Sequence, residues 1–179
     1  MRIMIVTDAW EPQVNGVVRT MQRVISELQA EGHVFDIVHP GEGFFTMPLP
    51  TYPEIKLALF AGGKLKKRFH DFEPDAVHLV TEGTLGMAGR TMCLKMKHPF
   101  STAYHTRFPE YIAARLPIPV SWGYAFVRWF HKYSGRVMVP TPSMVEELNA
   151  KQFINTVAWT RGVDTEQFHP AKRAEPDSP

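Results

Sequence analysis

The sequence predicts an α/β fold, a Rossmann-like parallel sheet with helices on both faces. Three observations lead there. Short β-branched runs alternate with segments of helical periodicity along most of the chain. Gly and Pro punctuate the joints between them. Each helical segment carries one apolar stripe, which asks to be buried on a sheet. Such alternation gives a parallel sheet joined by right-handed crossovers.

The elements follow in order. Residues 2–7 form a short β-branched run, read as a buried strand. Val17, Met21, Val24, Ile25 and Leu28 share one helical face, and Gly32 stands at the stop position. Residues 34–38 read as a second strand. Residues 41–53, rich in Gly and Pro, read as a loop. Leu57, Ala61, Leu65, Phe69 and Phe72 make another helical stripe, weakened at Gly62-Gly63 and ended by Pro74. Residues 76–80 read as a third strand, 84–97 as a helix and 100–104 as a fourth strand. An aromatic helix at 120–133 precedes a fifth strand at 137–139. A helix at 142–150, capped by Thr141 or Ser143, leads to a sixth strand at 156–159. Residues 1–170 are expected to form one domain. Residues 171–179, polar and Pro-containing, are expected to begin a linker.

Bulk properties exclude several classes. The chain has 179 residues, enough for one domain with its own core. A net charge of +2 gives no electrostatic footprint for nucleic acid. The single cysteine, Cys93, excludes an internal disulfide framework and fits a reducing cytoplasm. The opening MRIMIVTDAW lacks the flank and cleavage site of a signal peptide. No run approaches the ~18 apolar residues that span a bilayer. A soluble or at most peripheral protein is expected, with the cytoplasmic face of the membrane as its place.

Ligands of parallel α/β sheets bind beyond the carboxyl ends of the strands, so the residues there are the candidates. After the first strand, Asp8 and Trp10 lead to Asn15-Gly16 at the mouth of a helix. A helix N-terminus offers N–H groups to an anion, and glycine permits close approach. A plain turn with an Asn cap reads equally well from these residues alone. The loop lacks GxGxxG, so a dinucleotide site of the usual kind is not supported. After the third strand, Glu82 is placed to bind hydroxyls, with Gly83 and Gly86 at a helix start. A helix-capping loop is the alternative. After the fourth, His105, Thr106 and Arg107 offer an imidazole for sugar hydroxyls and a guanidinium for phosphate. After the sixth come Arg161 and Gly162, a tight bend followed by Phe168.

Five segments in order carry a resemblance: EPQVNGVVRT, DAVHLVTEGTLG, YHTRFPEY, VPTPSMVEEL and TRGVDTEQFHP. Together the chain resembles the N-terminal domain of retaining GT-B glycosyltransferases of family 4. It is most similar to GDP-mannose-dependent α-mannosyltransferases and sulfoquinovosyltransferase-like enzymes. The resemblance implies one half of a GT-B fold, holding the acceptor, with a donor-binding C-terminal domain as partner. It implies transfer of a hexose from a GDP- or UDP-sugar to a lipid or saccharide acceptor, with no metal and no cofactor. By resemblance Gly16 lies against the donor phosphate, His105 beside the donor sugar, and Arg161 marks the crossing into the second domain. Asn15, Glu82, Gly83, Thr106 and Arg107 join the donor side. Asp8 and Trp10 face the acceptor. The family's usual Gly-Gly pair is Asn15-Gly16 here. Its diphosphate-neutralising Arg and Lys and its Glu-x7-Glu motif belong to the second domain, so residues 1–179 alone are expected to be inactive. No carboxylate pair suits double displacement, and the resemblance implies front-side attack. A stand-alone sugar- or phosphate-binding module and a GT-B epimerase half are the competing readings.

Two further features concern partners. Lys64, Lys66, Lys67 and Arg68 form a basic run beside Leu59 and Phe60. Such a helix suits an anionic membrane surface, and equally a solvated face. Trp122, Phe126, Trp129 and Tyr133 recur at i, i+4, i+7 and i+11, a spacing read as core packing in preference to a lipid or sugar platform.

Overall fold

The computed structural model describes residues 1–49, 52–105, 107–114 and 117–160, together with Gly162, Thr165 and His169. The elements run β1 (Arg2–Val6), α1 (Gly16–Ala30), β2 (Val34–Val38), β3 (Phe45–Leu49), β4 (Tyr52–Leu59), α2 (Gly62–Phe72), β5 (Ala76–Leu79) and α3 (Thr84–Met96). They continue with β6 (Phe100–Ala103), α4 (Phe108–Ala113), α5 (Val120–His131), β7 (Arg136–Val139), α6 (Pro142–Ala150) and β8 (Thr156–Ala158).

Six strands form a parallel sheet in the order β2-β1-β5-β6-β7-β8. The register aligns Val38, Val6, Leu79, Thr102, Val137 and Thr156 in one row across it. Side chains of one row share a face, so this row defines the side on which each helix lies. Met4, Val6 and Leu79 pack with Leu65 and Phe69 of α2 and with Leu85 and Met92 of α3. Val137 and Val139 pack with Tyr124 and Val127 of α5 and with Leu148 of α6. Ile5 points the other way and packs with Met21 and Ile25 of α1. Helices therefore cover both faces, as the alternation predicts. The reason is handedness: from β1 the chain moves one way to β2 and the other way to β5 and beyond, and right-handed crossovers put those helices on opposite sides.

Three sequence expectations are corrected. Residues 41–53 are not simply a loop: β3 and β4 pair antiparallel as a separate ribbon, with Phe45 opposite Leu59. Leu57 accordingly belongs to β4, and the helix starts only at Gly62. Phe60 makes the break, with φ +55° and 92% of its surface exposed. A bulky side chain in the left-handed region is costly, so the chain cannot run helically through it. Of the aromatic repeat on and just after α5, only Phe126 packs against the core. Trp122, Trp129 and Tyr133 are 70%, 44% and 56% exposed. The stripe that enters the core is Tyr124, Val127, Phe130 and His131. Alpha4, a short helix, had no periodic signal of its own.

The basic run on α2 is largely consumed at home. Arg68 is half-buried, with Nη2 2.5 Å from Asp36 and Nη1 2.8 Å from Glu42. Burial alone would lower its pKa, but the hydrogen bonds it donates to Asp36 and Glu42 outweigh this and hold it charged. Lys67 pairs with Asp71 at 2.5 Å. The Lys64 ammonium donates to the Glu42 carbonyl.

Candidate functional site

In a parallel sheet every helix that follows a strand begins at the carboxyl edge, so the N-termini of α1, α3 and α6 gather there. Each is capped. Asn15 Oδ1 accepts from the N–H groups of Val17 and Val18, both at 3.0 Å. Thr141 Oγ1 accepts from Met144 N–H at 3.2 Å. The α3 terminus has no cap of its own, because its N-cap residue is Gly83. Asp8, from the β1–α1 loop, supplies it across the sheet.

Asp8 is buried, and both carboxylate oxygens are engaged. Oδ1 accepts from Leu85 N–H at 2.8 Å and from the Thr84 hydroxyl at 3.2 Å. Oδ2 accepts from the Thr81 hydroxyl at 2.8 Å and from Gly86 N–H at 3.2 Å. Burial raises the carboxyl's pKa, and these four hydrogen bonds oppose that rise. The glycines make the approach possible. A Cβ on Gly83 would overlap the Asp8 carboxyl group, and one on Gly86 would overlap the Thr81 carbonyl oxygen. Asp8, expected on the acceptor side, thus spends its carboxylate on α3, and Gly83 spends its bare Cα on Asp8.

Trp10 packs beside α1, its ring 6.0 Å from His39 at the end of β2. His39 lies 3.2 Å from Glu42, and burial lowers its pKa. Gly16 is exposed at the first position of α1. His105 follows β6 and is half-buried, with its ring in edge contact with Trp159 just beyond β8 at 6.1 Å. Arg107 is exposed, and its Nη2 lies 2.5 Å from Glu147 on α6. Glu147 also takes the Lys151 ammonium at 2.9 Å. Beside it the Tyr124 hydroxyl donates to Glu110. Thr106 and Arg161 lie outside the described residues.

Glu82 follows β5 and is partly buried. Its Oε1 is 3.3 Å from His131 Nε2, and His131 Nδ1 is 2.8 Å from Thr102 Oγ1. His131 gave no signal in the sequence beyond its place in an aromatic run. Nor did Trp159 or His39 stand out, although both follow strands and both sit against residues that did.

The Glycosyltransferase Family 4 model matches residues 14–167. The chain is 25% identical to a GDP-mannose-dependent alpha-mannosyltransferase of Mycobacterium tuberculosis, over 97% of this chain and 50% of that protein. It is 28% identical to the enzyme of the same name from Mycolicibacterium smegmatis, over 98% of this chain and 51% of that protein. A sulfoquinovosyl transferase of Arabidopsis thaliana is 24% identical over 74% of this chain and 27% of its own length. The chain spans about half the length of the mannosyltransferases it matches, which fits one Rossmann-like half of a GT-B fold. Among the described residues no helix is long and apolar enough to cross a membrane. With the family model covering most of its length, the chain belongs to Glycosyltransferase Family 4.

Proposed function

We propose that the chain is the acceptor-side half of a retaining glycosyltransferase. It moves a hexose of mannose or glucose type from a GDP- or UDP-sugar to a lipid or saccharide acceptor. The reaction takes place in the cytoplasm or at the inner face of a membrane, without a resident metal or cofactor. Family membership supports the reaction class. The observation that carries the site is the position of His105, half-buried at the carboxyl end of β6 and braced by Trp159 just beyond β8. An imidazole fixed on the rim of a rigid sheet is suited to orient a sugar hydroxyl.

In this reading His105 touches the transferred sugar. Asn15 and Gly16 bring the start of α1 toward the donor, and Thr106, Arg107 and Arg161 complete the donor side. Asp8 and Gly83 shape the rim without touching substrate. Trp10 offers an apolar wall to the acceptor. The acceptor oxygen bonds to the anomeric carbon on the face the diphosphate leaves. The acceptor proton passes to the departing phosphate oxygen.

The test is sugar transfer from GDP-mannose or a UDP-hexose by the chain joined to a donor-binding half, with and without His105→Ala. Turnover is expected to fall about a hundredfold, the scale of a lost positioning contact, with thermal stability unchanged. Near-normal turnover would overturn the assignment of His105. Sugar binding without any transfer would favour a binding module instead.

A further inference from the structure

We propose that the outer face of α5 docks onto an anionic phospholipid bilayer. The test reads binding alone, so its outcome is independent of the transfer reaction.

The charge pattern comes first. Between Glu110 and Glu146 the chain has no Asp or Glu, while it holds Arg115, Arg128, Lys132 and Arg136. Alpha5 lies in the middle of this acid-free stretch. Its outer face carries Trp122 and Trp129, and Tyr133 follows in the turn just past its end, at i, i+7 and i+11, all exposed. Large aromatic rings in water are unfavourable singly and more so in a row. Trp and Tyr have an apolar body and a polar tip, the chemistry that settles at the headgroup level of a bilayer.

Trp129 and Tyr133 are held in place. Arg90 is buried beneath them, its guanidinium 4.0 Å from the Trp129 ring centroid and 5.6 Å from that of Tyr133. It donates to the carbonyls of Phe130 and Trp129, both at 3.0 Å. A stack anchored in this way needs little ordering when it meets a surface. Alongside α5 runs a groove of about 340 Å³. Trp129, Ala125, Phe153 and Ile154 line it, with Arg128 and Lys132 among its walls. Apolar rings and cations therefore share one face, as in helices that lie in an anionic interface.

Comparison with α2 sharpens the choice. There Lys67, Arg68 and Lys64 are occupied by Asp71, by Asp36 with Glu42, and by a backbone carbonyl. Among the described residues Lys132 pairs with no carboxylate; its ammonium rests 5.3 Å from the Tyr133 ring. On α2 only Lys66 lies exposed with no carboxylate partner among the described residues; on α5 Arg128 donates to the Lys151 carbonyl at 3.1 Å, and Lys132 presents its charge directly beside an exposed ring.

Co-sedimentation with vesicles of equimolar phosphatidylglycerol and phosphatidylcholine tests this, against vesicles of phosphatidylcholine alone. The chain should pellet with the anionic vesicles and lose binding as salt rises. The double variant Trp122→Ser/Lys132→Glu changes exposed side chains only. It should weaken binding at least about tenfold, since each cation at such a surface is worth about one factor of five. The control Lys66→Gln/Lys67→Gln on α2 should stay within about twofold of the parent. Equal binding to neutral vesicles, no binding at all, or an α5 variant that pellets like the parent would overturn the proposal. So would an α2 control that loses as much. A lipid-free dimer in sedimentation velocity that Trp122→Ser abolishes would reassign the face to self-association.

Discussion

His131 reaches Glu82 with one ring nitrogen and Thr102 with the other, at 3.3 and 2.8 Å. The imidazole is 1% exposed and lies in edge contact with the rings of Phe130 and Tyr104. It ties the loop after β5 to the end of α5, which carries Trp129 on its other side. The helix proposed to meet the membrane is thus also the one that fixes the inner wall beneath the carboxyl edge.

This tie should be measurable as a coupling. His131→Leu leaves the Glu82 carboxylate largely buried without its partner, at a cost of about 1–3 kcal/mol. Glu82→Gln should cost less, because the amide oxygen still reaches His131. A double-mutant cycle on urea denaturation pairing His131→Leu with Glu82→Ala, which removes the contact, is expected to give a coupling of about 1 kcal/mol between His131 and Glu82. Strict additivity would mean that the two side chains do not act on each other.

How far the sequence could reach is plain from these residues. The parallel sheet was legible because buried strands need contiguous apolar runs and helices need stripes, and both are local patterns. The β3–β4 ribbon was not, since its Gly and Pro content masks short strands whose side chains, such as Phe45 and Met47, are exposed. Leu57 sits four residues before Ala61 and eight before Leu65, a helical spacing that arises by accident across the turn at Phe60. At the site, Asn15 was legible as a cap because it acts two and three residues away. Asp8 was not, because the N–H groups it satisfies are 77 and 78 residues distant. Its acidic chemistry at a strand end looks the same whether it meets a ligand or a helix.

The Asp8 cap leads to a second prediction. Gly83→Ala forces the new methyl into the Asp8 carboxyl group, so the carboxylate must leave α3. Loss of an N-cap costs about 1–2 kcal/mol, and a displaced buried carboxylate adds to that. Asp8→Asn keeps the shape and part of the hydrogen bonding, so it should cost less than Gly83→Ala. Denaturant midpoints for the two variants decide the order; a Gly83→Ala variant as stable as the parent would show that the Asp8 carboxylate is not the cap.

Stability should also depend on pH through His78. It is buried on the α1 face of the sheet, with Nδ1 2.8 Å from the Ser101 hydroxyl. Burial lowers its pKa from 6.5 to about 4. The unfolded chain takes up this proton near the ordinary value, while the folded chain resists until far lower pH. Stability from this group is therefore present above pH ~6.5 and is lost as pH falls toward ~4, by up to about 3 kcal/mol. Asp8 acts in the opposite sense, since its raised pKa lets the folded state gain a proton first on acidification. His78→Leu should flatten the loss between pH 7 and pH 5 in urea titrations. An unchanged slope would place the pH dependence elsewhere.

The last prediction concerns nucleotide. A helix N-terminus binds phosphate through N–H groups that nothing else satisfies. Here Asn15 takes those of Val17 and Val18, Asp8 takes those of Leu85 and Gly86, and Thr141 takes that of Met144. Arg107 is already spent on Glu147. The Asp8 carboxylate, moreover, stands at the α3 terminus with the same sign of charge as a diphosphate. The chain by itself should therefore bind GDP or GDP-mannose only weakly, with a Kd of about 1 mM or above. Of the described candidate site residues only Arg107 could stabilise the departing diphosphate, and it is paired with Glu147; one missing donor of that kind costs about 3 kcal/mol. No transfer by residues 1–179 alone is expected. Asn15→Gly offers a sharper check, because it frees two N–H groups at α1 for only a few tenths of a kcal/mol in stability. If the start of α1 receives the donor phosphate, this variant should bind GDP at least as well as the parent. Calorimetry with both proteins, beside a transfer assay, reads all of this. A parent Kd near or below about 10 μM, or turnover by the chain alone, would mean that the donor site is already complete within it.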